Sequence, residues 1–407
     1  MSITACKNDE VEKKRLPFHI TYGLPEDLAR AGGIVELDDM TIFVVQNSKK
    51  SVNIVGVDDF GQRKWSREIS CPSENGLVVL TASKIDDERF LLSGNLGTEK
   101  PVLIEISKDG TIKKSSKLSV DGAITLMHCT VDSDGSRLYS GSVWLGLSYE
   151  GFVAREKSDG NISWARRLPD YPYVAAAAKI GQHTFVIPQF QQGPDRQPIL
   201  QLDLNGDFVH GTEAFRDGDL MTVAGLSLHD NLYVILTEWN SDSFYLLRLN
   251  SLGEVVSSLY FMSAEYPSLT TDGTSLFLTL TKEAALTVFE LDADLKTTNK
   301  KTIANLVGGN SFAVTGITSV SQQAVSSILL PSDTDPTYGM KGINLIRIFR
   351  NNWQTRCQVT EYGAPSIQSS FRTESSEEST METIEIQKTP VVVDVRDLEI
   401  SSQSICK

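Results

Sequence analysis

The sequence predicts an all-β fold, a seven-bladed β-propeller with four antiparallel strands per blade. Three observations predict it. A unit of roughly 46 residues recurs seven times, the units share a hairpin with a polar turn that is Asp-Gly or Asn-Gly in the clearest copies, and no long amphipathic stretch of helical period interrupts residues 33–360.

The hairpins come first because they carry the register. They read VNIVGVDDFGQRKWSREI (52–69), PVLIEISKDGTIKKSSKL (101–118), GFVAREKSDGNISWARRL (151–168), PILQLDLNGDFVHGTEAF (198–215) and YLLRLNSLGEVVSSLYF (245–261). Two degenerate copies follow, LTVFELDADLKTTNKKTI (286–303) and INLIRIFRNNWQTRCQV (343–359). Gly61, Gly110, Gly160, Gly206 and Gly253 mark the turns, with Leu295 and Asn352 in the last two. Such pairs between alternating apolar residues signal two-residue type I′ turns, whose central residues need positive φ.

Upstream of each hairpin lies a second pair of apolar runs, such as GGIVEL with TIFVVQN or YVAAAAKI with TFVIPQF. Each repeat therefore holds four strands. The expected inner strands are 33–38, 77–82, 123–129, 174–180, 221–227, 267–271 and 312–318. One such unit cannot bury both faces alone, whereas units stacked in a ring cover one another.

Three segments are expected: 1–16 as a lipid-attachment site and flexible linker, 17–362 as the propeller, and 363–407 as a Ser/Thr/Glu-rich tail. Residues 366–383 read as disordered from composition, and 391–400 alternates like an edge strand.

The first copy, HITYGLPEDLARAGGIVELDDMTIFVVQ…VNIVGVDDFGQRKWSREI, resembles bacterial repeat β-propellers of the quinoprotein-like or WD-like style. Only Trp65 and Trp164 occupy the tryptophan position after the turn; Ser115, Gly211 and Ser257 lie near it elsewhere. Ile3-Thr4-Ala5-Cys6 resembles a lipobox, and Lys7-Asn8-Asp9-Glu10 resembles the acidic export signal of Bacteroidetes-type surface lipoproteins. The resemblance implies a lipid on Cys6 and attachment to the outer membrane of a cell envelope. It requires a basic and apolar signal upstream of Met1. A cytoplasmic interaction propeller is the alternative.

A net charge of −14 disfavours nucleic acid, which wants a basic face. Membrane association is expected only through the lipid on Cys6, and the protein is expected to be a monomer. With Cys6 lipidated, four cysteines remain: Cys71, Cys129, Cys357 and Cys406. A Cys357–Cys406 disulfide would staple the tail to the last blade, and four reduced thiols are the other reading.

No GxSxG, Walker A or GxGxxG motif is present, and the five histidines lack metal-ligand spacing. The turns DSDG (132–135), KSDG (157–160) and LDLNGD (202–207) do not supply the carboxylates of a calcium loop and read as hairpin turns. No catalytic residue, metal or cofactor is assigned, and a non-enzymatic binding or scaffold propeller is expected. A channel enzyme, quinoprotein-like or acting on polysaccharide, is the alternative.

The candidate binding residues lie in the connections between strands 2 and 3 and between consecutive blades, which open on one face. They are Trp144, Tyr149, Tyr171, Tyr173, Phe190, Gln191, Arg196, Trp239, Tyr266 and Tyr338. Aromatic side chains with one polar end suit a protein or glycan partner.

Overall fold

The computed structural model describes residues 18–23, 28–47, 51–71, 76–97, 100–120, 122–146, 148–189, 196–215, 220–238, 243–262, 265–282, 285–303, 317–320, 324–329, 342–349, 366–367, 372–375, 381–383, 386–390, 394–397 and 401–404. The chain enters on β1 (Phe18–Gly23). Blade 1 follows as β2 (Leu28–Glu36), β3 (Met40–Asn47), β4 (Val52–Asp58) and β5 (Arg63–Ser70). Blade 2 is β6 (Leu77–Asp86), β7 (Arg89–Leu96), β8 (Lys100–Ser107) and β9 (Ile112–Ser119). Blade 3 is β10 (Ala123–Val131), β11 (Arg137–Trp144), β12 (Tyr149–Glu156) and β13 (Ile162–Leu168). Blade 4 is β14 (Tyr173–Ile180), β15 (His183–Gln189), β16 (Arg196–Leu202) and β17 (Phe208–Phe215). Blade 5 is β18 (Leu220–Leu228), β19 (Asn231–Glu238), β20 (Phe244–Leu249) and β21 (Val255–Phe261). Blade 6 is β22 (Glu265–Thr271), β23 (Leu276–Lys282), β24 (Ala285–Leu291) and β25 (Thr297–Ile303).

Six blades, then, are each one contiguous repeat of four antiparallel strands. The remaining sheet is composite: β26 (Ile317–Val320), β27 (Ala324–Leu329) and β28 (Gly342–Phe349) take β1 as their fourth strand, with Phe18 opposite Arg347 and Gly23 opposite Gly342. The expectation of seven blades is corrected to six, each built from four antiparallel strands as expected. The seventh copy does not supply its own outer strand, because the N-terminal strand occupies that edge; residues 350–359 of the expected hairpin lie outside the described residues. To this four-stranded unit the tail adds strands at the outer edges. Five of the contiguous blades and the composite sheet carry a fifth strand, and only blade 6 is four-stranded among the described residues.

The fifth strands come from the tail. β29 (Ser366–Ile367) pairs with β21, β30 (Arg372–Ser375) with β17, and β31 (Glu382–Thr383) with β13. Next come β32 (Gln387–Pro390) on β9, β33 (Asp394–Asp397) on β5, and β34 (Ser401–Ser404) on β1. The disorder read from composition over 366–383 is overturned at these strands. An exposed sheet edge offers a row of backbone donors and acceptors, and a polar segment can satisfy it without a core of its own.

The apolar core sits between blades. One cluster joins Ile42, Val44 and Ile54 of blade 1 to Phe90, Leu92 and Ile104 of blade 2. Equivalent clusters fill the seams of blades 2 and 3, 3 and 4, 4 and 5, and 5 and 6. Inner strands alternate apolar residues on faces that both become buried once neighbouring sheets stack.

The outer hairpins are built differently from the type I′ expectation. In the first, Gly61 N–H donates to Asp58 O and Asp58 N–H to Gln62 O, with a bulge after Gly56. Only the glycine has positive φ, 74° for Gly61, 84° for Gly110 and 76° for Gly206. This is a three-residue loop with a glycine bulge, a type I turn followed by one left-handed residue. The aspartates serve the turns: Asp203 accepts the N–H groups of Asn205 and Asp207. The Ser107 hydroxyl and Thr111 N–H hold Asp109 down to about 2. A two-residue loop of left-handed residues does occur at His229-Asp230, between strands 1 and 2 of blade 5.

Both post-turn tryptophans dock on the next blade's hairpin. The Trp65 indole Nε1 donates to Lys108 O at 2.8 Å, and its ring lies against Gly110, where a Cβ would come within 2.9 Å. Trp164 covers Gly206 in the same way, at 2.6 Å.

Candidate functional site

The face formed by the strand 2–3 turns and the blade-to-blade connections is best defined at the seam of blades 3 and 4. β11 ends at Trp144 and β12 begins at Tyr149, directly opposite in register. Their ring centroids are 4.7 Å apart with planes tilted by 49°. Cross-strand aromatic pairs of this kind fix each other's rotamers. Tyr149 is 53% exposed and Leu145, in the turn, 38%.

Backbone contacts hold this hairpin from both sides. Gly151 N–H donates to Tyr171 O, and a Cβ at Gly151 would meet Val174 and Tyr173 at 3.1 and 3.2 Å. On the other flank, a Cβ at Gly122 would lie 2.6 Å from the Trp144 carbonyl. Arg167 and Glu150 form an ion pair at 3.1 Å beside Tyr149, giving the aromatic pair a polar margin.

The structure thus brings Trp144, Tyr149 and Tyr173 to one seam. Tyr173 is half-buried, and burial raises its phenol pKa. Tyr171, expected to be a binding aromatic, is only 7% exposed and packs in the core with Leu138, Leu168 and Val174. Its connection turns inward to close the end of the seam, so it supports the face from below. Arg196 starts β16 and Tyr266 lies in β22. Phe190, Gln191, Trp239 and Tyr338 lie outside the described residues, as do Cys6, Cys357 and Cys406. Cys71 and Cys129 are buried, and burial pushes the Cys129 thiol up to about 12. Burial likewise depresses His128 to about 4.

Below this face, the inner strands share a feature that sequence reasoning missed. Their ladders slip between Ala31 and Gly33, Val79 and Thr81, Leu126 and His128, Val174 and Ala176, and Thr222 and Ala224, with a further slip in β22. The extra residues are Gly32, Leu80, Met127, Ala175 and Val223. Of these, Met127 is 43% and Val223 42% exposed.

A bulge leaves backbone groups unpaired, and side-chain amides from the preceding blade take them. Gln46 donates to Leu77 O and accepts from Val79 N–H; Asn95 donates to Leu126 O and accepts from Leu126 N–H; Gln189 accepts from Thr222 N–H. The visible signal was an amide residue at the end of strand 2 in three repeats.

A second missed group is a buried polar network. Arg137 spans Glu105 at 2.6 Å and Glu156 at 3.0 Å, and Glu156 also accepts from the Tyr139 hydroxyl and Lys388 Nζ, each at 2.7 Å. Charged residues inside otherwise apolar strands were its signal. Among the described residues, no three His, Cys, Asp or Glu side chains gather to hold a metal ion.

No protein-family model matches the chain, and no curated protein does. Solved structures similar to it include the Dos1 propeller, at 9% identity and TM-score 0.49, covering 79% of this chain and 82% of that one. An uncharacterised protein of Listeria monocytogenes EGD-e matches at 11% identity and TM-score 0.43, covering 76% and 92%. A chain from a study of two prolyl endopeptidases matches at 12% identity and TM-score 0.45, covering 86% of this chain and 51% of that one.

Proposed function

We propose that this β-propeller is a non-enzymatic binding or scaffold protein that engages a protein or glycan partner through the loop face around Trp144 and Tyr149. The observation that carries this reading is the pair itself. Tyr149 is 53% exposed with its ring packed at a tilt against Trp144, next to exposed Leu145, on a hairpin whose backbone is fixed on both flanks. An exposed aromatic held in one rotamer binds with little ordering cost, and such residues dominate interface energetics. Function on a rigid ring usually resides in its loops.

The same reading places the protein at a cell envelope, held by a lipid on Cys6, from the resemblance of residues 3–10 to a lipoprotein export site. Cys6→Ser should then release the protein from membranes.

The binding reading is tested with a glycan array and an immobilised envelope-protein panel, comparing the parent with Tyr149→Ala and Trp144→Ala. Whichever ligand the parent retains should lose about 1–2 kcal/mol or more of affinity in one variant if that residue is a hot spot, with the unfolding midpoint nearly unchanged. Loss of stability with intact binding would make these side chains packing groups and move the site elsewhere.

A further inference from the structure

The tail strands follow an order that composition did not suggest. From β29 to β34 they pair with blades 5, 4, 3, 2 and 1 and then with the composite sheet, each antiparallel to the outermost strand. One segment of chain thus passes back around the outside of the ring, against the order in which the blades were laid down. It ends on β1, the strand that completes the composite sheet, and so places β1 between β28 and β34.

Most of these pairings are short. β29 and β31 each contribute two register pairs. Among the described tail residues, side chains anchor the stretch from Met381 to Lys388. Met381 packs into the core cluster of blades 3 and 4, and Ile386, buried, into that of blades 2 and 3. The strand between them, β31, runs along the outer edge of blade 3, so the tail grips that blade from both seams. Two residues on, Lys388 reaches Glu156, which is itself buried and bridged through Arg137 to Glu105 of blade 2. Two cations meet two carboxylates from two blades and the tail.

We propose that the C-terminal strands form a clasp that holds the ring shut, buckled at the seam of blades 2 and 3 by Lys388 and Ile386. Removing one partner of a buried ion pair leaves the other charge uncompensated. Loss of the Lys388 ammonium therefore leaves the network one cation short and weakens the tail at the place where side chains hold it. Because the other tail strands rest on few backbone pairs, releasing the buckle frees them together, down to β34, and uncovers the outer edge of β1.

The test is native-state hydrogen exchange on the full chain carrying Lys388→Met, which keeps the aliphatic stem. Amides of the outer strands, at 116–119, 166–167 and 20–23, should exchange at least about tenfold faster, while those of β7 and β11 stay as in the parent. A second variant, Ser119→Cys with Gln387→Cys, bridges two residues opposite each other in register. Oxidised in the Lys388→Met background, it should restore slow exchange at all three outer segments. Acceleration confined to 116–119 would overturn the clasp and leave the tail a set of independent edge covers. Equal acceleration of inner and outer strands would also overturn it, as loss of stability of the whole ring.

Discussion

Trp65 and Trp164 occupy the same position in two repeats, yet the same substitution should affect them with opposite sign. Both rings rest on a turn glycine of the following blade. The Trp65 N–H donates to Lys108 O, whereas the Trp164 N–H is buried and finds no partner among the described residues. Replacing either by Phe removes roughly 40 Å3 of side chain, about 1 kcal/mol at 24 cal/mol per Å3 of cavity. Trp65→Phe also loses a hydrogen bond of net worth about 1 kcal/mol. Trp164→Phe instead deletes an unsatisfied donor whose burial costs about 1–3 kcal/mol. The expected outcomes are a loss of about 2 kcal/mol for Trp65→Phe and a change from neutral to about 1–2 kcal/mol stabilising for Trp164→Phe. Urea unfolding at constant m-value reads both directly. If Trp164→Phe proves as destabilising as Trp65→Phe, the indole N–H is satisfied in solution and the argument from its isolation fails.

Three further outcomes follow from single positions. Gly206→Ala should cost clearly more than Gly273→Ala: both have positive φ, costing about 1–2 kcal/mol, but a Cβ at Gly206 meets the Trp164 ring at 2.6 Å whereas nothing lies within 4 Å of one at Gly273. Thermal midpoints of the two variants decide it. Leu295 adopts φ 62° where the five preceding repeats have glycine, yet Leu295→Gly should still destabilise by about 1–3 kcal/mol, because the side chain is buried with Phe289 and Leu246; a rise in stability would contradict this. His128 is depressed to about 4 by burial, so between the ordinary 6.5 and 4 the unfolded chain takes up a proton that the folded one refuses. Stability should therefore fall as pH drops through that window, and a stability–pH curve of His128→Gln should be flatter there.

The all-β propeller and the register of its repeats, though not the number of blades, were legible in the sequence for a local reason. A hairpin needs a left-handed residue at its turn, so Gly61, Gly110, Gly160, Gly206 and Gly253 recur at the repeat, and the strands around them must alternate because each face meets a neighbour. The turn type was misread because Asp-Gly serves both a two-residue loop and a glycine bulge, and at Asp109-Gly110 only the pairing of Ser107 with Thr111 distinguishes them. Trp144 and Tyr149 were legible as loop aromatics; that their rings pack against each other, while Tyr171 turns inward, depends on how the blade 3–4 seam closes. What tertiary structure alone decided is the closure of the ring. β1 completes a sheet begun nearly 300 residues later, and the tail, polar enough to read as disordered, finds order on edges that already exist. Backbone hydrogen bonds to a waiting edge ask little of side-chain identity, so a strand of that kind leaves almost no periodic trace in its own sequence, and its partner is known only once the blades stand in a circle.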